Sequence, residues 1–102
     1  MNLKNFRTLD LARRFYRECK KLTLTGAPRQ QLQRASLSVG LNLAEARGRH
    51  THKDQLKFFH IAFGSLRESQ ALLSLEDQES TTAFKLADEL GAALYSLIKN
   101  AK

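Results

Sequence analysis

The chain has 102 residues, with 17 Lys and Arg against 10 Asp and Glu, which gives a formal net charge of +7. It contains 18 Leu and 12 Ala but one Val, two Ile, one Pro and no Trp, so helix formers dominate and strand formers are scarce. This composition argues against a sheet protein or an α/β enzyme. The single cysteine, Cys19, excludes an intramolecular disulfide framework and a Cys-rich zinc site.

Four helices are predicted, at about residues 8–22, 28–47, 53–73 and 81–99. Pro28 favours the first turn of the second helix, where N–H groups have no partner within the helix, and Gly48 is typical of a helix end. Thr51 and Asp54 resemble a capping box that opens the third helix. Each helix has an apolar stripe and the connections are short, so residues 1–102 are predicted to form one all-α domain, an antiparallel up-and-down four-helix bundle.

Positive charge is concentrated in residues 1–67, which carry 14 basic and 4 acidic side chains, whereas residues 68–102 carry 3 basic and 6 acidic ones. On a helical wheel the basic residues of the first helix share a sector of about 140° opposite its apolar stripe. They are Arg7, Arg13, Arg14, Arg17, Lys20 and Lys21. Only Asp10 adds an acid to that sector.

Basic side chains crowded on one face repel each other unless a partner neutralises them, so we expect this face to bind a polyanion. Nucleic acid, RNA or DNA, is the commonest one, and it would be bound through its phosphates with little regard to sequence. Arg34, Arg47 and Arg49 would extend the same field if their faces align. The alternatives are a solvated helix face and a face that docks an acidic protein.

The second and third helices have more apolar surface than one bundle needs. Its residues lie nearly opposite the inward stripes and are Leu37, Leu41, Phe58, Ile61 and Leu72. A second apolar face favours a homo-oligomer, although scattered apolar side chains are also normal on the surface of a monomer.

Four polar residues of the same two helices are interpreted as structural: Asn42, Glu45, Ser65 and Glu68. An amide at the edge of an inward stripe, as at Asn42, usually fixes the register of helix packing. Two carboxylates on helices are more often ion-pair partners than an acid–base pair, and Arg34, Arg47 and Arg67 are available as partners.

Residues suited to catalysis or metal binding form no recognisable arrangement. His50 and His52 have no third ligand at a clear spacing, and Cys19 lies on an apolar stripe, where a thiol is inert. We therefore expect no enzyme activity, no cofactor and no metal. The sequence also has no apolar run typical of a membrane span or a signal peptide, so we expect a cytoplasmic protein with no membrane partner.

Three blocks of sequence carry a family resemblance. Q-L-Q-R-A-S-L-S-V occupies residues 31–39, N-L-A-E-A-R-G-R occupies 42–49, and F-F-H-I-A-F-G-S-L-R-E occupies 58–68. In this order they resemble the bacterial four-helix-bundle family of 23S ribosomal RNA intervening-sequence proteins. That family includes the accessory variability determinant of diversity-generating retroelements. Ala46 stands where the family usually has Gly, which moves the expected helix end to Gly48.

The resemblance implies a non-enzymatic helical bundle that assembles into a ring-like homopentamer with a basic surface. For the retroelement members it also implies binding to nucleic acid and to a reverse transcriptase. The expected function is therefore nucleic-acid binding by a homo-oligomer. The alternative is a scaffold that docks an acidic protein, such as a reverse transcriptase, with no direct role in nucleic-acid binding.

Overall fold

The computed structural model describes residues 3–101, and side chains from Arg7 to Ala101. Residues 3–101 form four α-helices and no strand. The helices are α1 (Leu3–Lys20), α2 (Gly26–Arg47), α3 (His52–Leu75) and α4 (Thr82–Asn100). The predicted all-α class is confirmed over this range.

Each helix packs against two others. Helix α1 contacts α2 and α4, and α3 contacts the same two, whereas the diagonal pairs make no contact in the described part of the chain. Residues 21–25, 48–51 and 76–81 connect consecutive helices, and connections this short between packed neighbours are typical of an up-and-down bundle. The molecule measures 40 × 21 × 17 Å, so it is elongated along its helices.

The ends of α1 and α2 differ from the predicted ones. Thr8 is buried inside α1 and does not start it. At the other end, Leu22 N–H donates to the carbonyl of Cys19, a tighter turn that leaves Leu22 and Leu24 outside the helix but packed against the core. Helix α2 begins at Gly26, whose φ of +64° suits glycine.

The two remaining helices start at threonine caps. Thr51 Oγ1 accepts a hydrogen bond from Asp54 N–H at 3.1 Å, and Thr81 Oγ1 accepts one from Phe84 N–H at 3.3 Å. The threonine half of the predicted capping box is therefore confirmed, whereas the Asp54 side chain makes no bond back to Thr51 among the described residues. Thr81, placed in the helix by sequence, precedes it. Such caps satisfy N–H groups that have no partner in the first turn.

Helix α3 continues past the predicted residue 73 and closes with a Schellman motif. Asp77 has a left-handed φ of +57°. Its N–H donates to the Ser74 carbonyl at 3.1 Å, and Gln78 N–H donates to the Leu73 carbonyl at 2.8 Å. These two bonds satisfy carbonyls that the last turn would otherwise leave open.

The core is made of leucines and alanines with few aromatic rings. Phe15, Leu66 and Leu90 are fully buried. Small residues bring α1 and α2 close together, because a Cβ built on Gly40 would lie 3.9 Å from Ala12 Cβ. Such close packing fixes which residues of each helix remain outside.

Candidate nucleic-acid interface

The basic side chains of α1 lie on the outer side of the helix. Leu11, Phe15 and Cys19 face the core, and helical spacing places the basic residues opposite them. All six are exposed, and we call them the α1 basic stripe: Arg7, Arg13, Arg14, Arg17, Lys20 and Lys21. At 1.5 Å of rise per residue, the stripe is about 20 Å long from Arg7 to Lys20, and Lys21 directly follows the last residue of the helix.

Two ion pairs neutralise part of this stripe. Arg13 Nη2 lies 2.8 Å from Asp10 Oδ1, and Lys21 Nζ lies 2.6 Å from Glu18 Oε2. Pairs this exposed add little to stability, but they lower the repulsion expected from the sequence. Glu18, at the edge of the basic sector, contributes one of the two carboxylates.

Arg14, Arg17 and Lys20 make no ion pair with any described residue. Lys20 Nζ lies 4.6 Å from the centroid of the Tyr16 ring, which holds the ammonium near the surface of the helix. Three neighbouring cations without counter-charges can be neutralised by successive phosphates of a nucleic-acid backbone. They form the centre of the candidate interface.

The three arginines of the α2 region divide between two edges of the bundle. Helical spacing places Arg47 on the edge that carries Gly40, which faces Ala12 of α1. Arg34 lies on the opposite edge, that of Ser38, which bonds to α3. Arg47 can therefore extend the α1 basic stripe, whereas Arg34 lies away from it.

Arg49 makes its contacts within the same chain. Its Nη2 lies 2.8 Å from Glu45 Oε2, and its Cζ lies 4.7 Å from the centroid of the Phe58 ring. Lys57 Nζ lies 5.7 Å from the same ring. The partner of Glu45 is thus Arg49, and not Arg34, Arg47 or Arg67 as the sequence suggests.

The polar residues predicted to be structural join α2 to α3. Ser38 Oγ lies 2.8 Å from Ser65 Oγ across the helix pair. Asn42 Nδ2 donates to the Ser38 carbonyl at 2.9 Å and to Ser38 Oγ at 3.0 Å. Asn42 is half-buried and bonds within its own helix, so it acts on the packing through Ser38. Glu68 is exposed and makes no ion pair with a described residue.

The apolar residues predicted to form an oligomer interface differ in exposure. Leu37, Leu41 and Ile61 are 40%, 59% and 42% exposed, and we call them the α2–α3 apolar face. Phe58 and Leu72 are half-buried and pack against the core. Since the apolar face and the α1 basic stripe lie on different helices, one can be covered while the other stays open.

The cysteine of the sequence, Cys19, is buried in the core of the bundle. Burial raises the pKa of the Cys19 thiol to about 12, although a hydrogen bond with Ser36 opposes the shift. No three His, Cys, Asp or Glu side chains in the described part of the chain are grouped to hold a metal ion. None of the described helices is long and apolar enough to cross a membrane.

Comparison with known proteins identifies a family and a matching fold. The model of the 23S rRNA-intervening sequence protein family matches residues 5–101. A crystal structure of a protein of unknown function, from the S23 ribosomal protein family of Bacteroides thetaiotaomicron VPI-5482, has a TM-score of 0.74 and 23% sequence identity, with 97% of each chain covered. At this identity the likeness shows the fold alone. No curated protein matches the sequence.

Proposed function

We propose that this chain, which belongs to the 23S rRNA-intervening sequence protein family, binds nucleic acid through the α1 basic stripe as a homo-oligomer. It does so in the cytoplasm and performs no catalytic step. The observation that carries the proposal is the row formed by Arg14, Arg17 and Lys20, exposed on one helix face and unpaired with any described carboxylate.

Phosphate contacts account for both the strength and the low selectivity of this binding. A lysine or arginine that neutralises a phosphate releases condensed counterions, which drives association at low salt. Contacts to phosphates position a protein on the nucleic acid but do not read its bases. The convex side of one helix therefore suits RNA or DNA of any sequence.

Self-association would occur through the α2–α3 apolar face. Burial of the Leu37, Leu41 and Ile61 side chains would remove exposed apolar surface from water. A ring, pentameric by resemblance to the family, needs a heterologous contact in which this face meets a different surface of the next subunit. Such a ring would repeat the α1 basic stripe once per subunit.

A paired substitution tests the role of the stripe. Arg14→Ser with Arg17→Ser removes two unpaired cations, and Lys85→Ser with Lys99→Ser removes the same charge from α4 as the matched control. Fluorescence anisotropy with a labelled duplex at low salt should show affinity weakened on the order of tenfold for the first pair and little changed for the second. Circular dichroism checks that both variants fold.

Equal losses for the two pairs would contradict a specific role of α1, because net charge alone would then set the affinity. The alternative partner, an acidic protein such as a reverse transcriptase, would use the same stripe. Capture of such a partner that survives nuclease treatment, with no binding to the labelled duplex, would favour that alternative.

A further inference from the structure

A cleft of about 280 Å³ between α3 and α4 plays no part in the proposed interface. Its lining includes Phe63, Arg67, Gln70, Asp88, Gly91 and Tyr95. This volume lies just below the range of ordinary small-molecule sites, so the cleft has room for one flat ring system and no more. Aromatic, amide, carboxylate and guanidinium groups meet there.

Helix packing fixes which of these groups face each other. A Cβ built on Gly91 would lie 3.6 Å from Leu66 Cδ2, so these two residues are level in the helix pair. Since α3 and α4 are consecutive helices of an up-and-down bundle, Asp88 comes level with Gln70, and Tyr95 with Phe63. Side chains lean toward the N-terminus of their helix, which directs Tyr95 toward the level of Asp88.

Apart from the stacking of Arg67 on the Phe63 ring, the polar groups of the cleft have no partners among the described residues. Arg67 and Asp88 make no ion pair, either with each other or elsewhere. The Gln70 amide and the Tyr95 hydroxyl make no hydrogen bond to a described residue. Tyr95 is 60% exposed. A concave surface that gathers several unused polar groups beside an exposed ring has the character of a ligand site.

We propose that this cleft binds a single unpaired guanine of a nucleic-acid strand; the proposal rests on the proposed nucleic-acid binding. The guanine ring stacks on Tyr95, as unpaired bases do on exposed aromatic side chains. The Asp88 carboxylate, which only accepts hydrogen bonds, receives the adjacent N1–H and N2–H donors of guanine. The Gln70 amide donates to O6.

The same groups exclude the other purine. Adenine presents an acceptor at N1, where guanine presents a donor, and an acceptor facing the Asp88 carboxylate is repelled. Arg67 lies at the rim of the cleft, with its Cζ 4.9 Å from the centroid of the Phe63 ring. A cation held there can contact the phosphate of the bound nucleotide.

The test compares GMP, AMP and RNA stem-loops with one bulged guanine or adenine, by titration calorimetry. Wild type should prefer guanine by about tenfold, in the mononucleotide and in the bulge. Asp88→Asn should reduce that preference to below about threefold, and Glu89→Gln, the adjacent carboxylate in the α1–α4 cleft, is the matched control. Tyr95→Ala should weaken bulge binding about tenfold, whereas Tyr95→Phe, which keeps the ring, should not.

Equal binding of guanine and adenine, or a preference that survives Asp88→Asn, would overturn the proposal. So would a Tyr95→Ala variant that changes the oligomer mass in light scattering and leaves guanine binding intact, because the cleft would then be covered by a second copy. A preference seen with GMP but not in the bulge would also overturn it, because the ligand would then be a free nucleotide and not a base of a strand.

The proposal for the cleft and the proposal for the α1 basic stripe can be disproved independently of each other. If duplex binding is lost with Arg14→Ser and Arg17→Ser but no guanine preference exists, only the cleft proposal is wrong. If GMP binds selectively but Arg14→Ser with Arg17→Ser leaves duplex affinity unchanged, the proposed function is wrong. Guanine binding by the cleft is then retained.

Discussion

Folding changes the acidity of the Cys19 thiol. Burial raises the pKa of its thiol from 9.0 to about 12, and the thiolate is the reactive form. At pH 8 the native protein should react with a thiol-labelling reagent on the order of a thousandfold more slowly than the unfolded chain, from ionisation alone. Labelling with and without denaturant measures this ratio, and equal rates would show that the thiol is accessible.

The same shift predicts a dependence of stability on pH. Between pH 9.0 and about 12 the unfolded thiol is ionised while the folded one keeps its proton. The unfolded state then binds fewer protons, so the free energy of unfolding falls as pH rises through this range. Urea melts of wild type and Cys19→Ala should diverge there, and parallel curves would contradict the shift.

Asp77 occupies a left-handed position that glycine would fill with less strain. Its φ is +57°, a region that costs a residue with a Cβ roughly 1 kcal/mol. Asp77→Gly should therefore raise the free energy of unfolding by about 0.5–1 kcal/mol, whereas Asp77→Ala should give no gain. A lower urea midpoint for the glycine variant would show that the aspartate side chain contributes more than the backbone strain costs.

At the scale of helices, a hydrogen bond between Ser38 and Ser65 joins α2 to α3. Ser65→Ala leaves Ser38 Oγ without its partner across the interface and should cost about 1 kcal/mol. Ser74→Ala, on the same helix, removes a bond to Glu79 at the exposed surface and should cost much less. Equal urea midpoints for the two variants would mean that the Ser38–Ser65 bond adds nothing.

Helix faces could be predicted from sequence, and helix ends and cross-helix partners could not. The 3.6-residue period alone places Phe59, Leu66 and Leu73 inside and Arg14 outside. The left-handed closure at Asp77 depends on backbone geometry that aspartate does not signal. Partners on different segments, such as Arg49 and Phe58, depend on the axial register of the helices, which no single helix specifies.

The candidate sites also differ in whether they lie within one helix or depend on two. The α1 basic stripe lies within one helix, so its exposed face was predictable from spacing. The α3–α4 cleft depends on how two helices are aligned. The sequence therefore did not indicate that Tyr95 of α4 lies in the same cleft as Arg67 of α3. Helical periodicity identifies Tyr95 as an aromatic residue outside the apolar stripe of α4, but it does not reveal the cleft.

At the scale of the whole molecule, the α2–α3 apolar face should hold subunits together. Leu41→Lys with Ile61→Lys places two charges on that face, and light scattering should then give a mass near 11.6 kDa, with a larger mass for wild type. Leu75→Lys is the control, because Leu75 is 76% exposed and lies about 21 Å along α3 from Ile61. A monomeric wild type would contradict self-association through this face.

The salt dependence of nucleic-acid binding tests the central claim most directly. If the α1 basic stripe releases counterions, the logarithm of duplex affinity should fall linearly with the logarithm of salt concentration. Arg14→Ser with Arg17→Ser should make that slope shallower by about 2, since each phosphate contact contributes about 0.9. A wild-type affinity that stays flat from low to high salt, or a slope that the two substitutions leave unchanged, would contradict it.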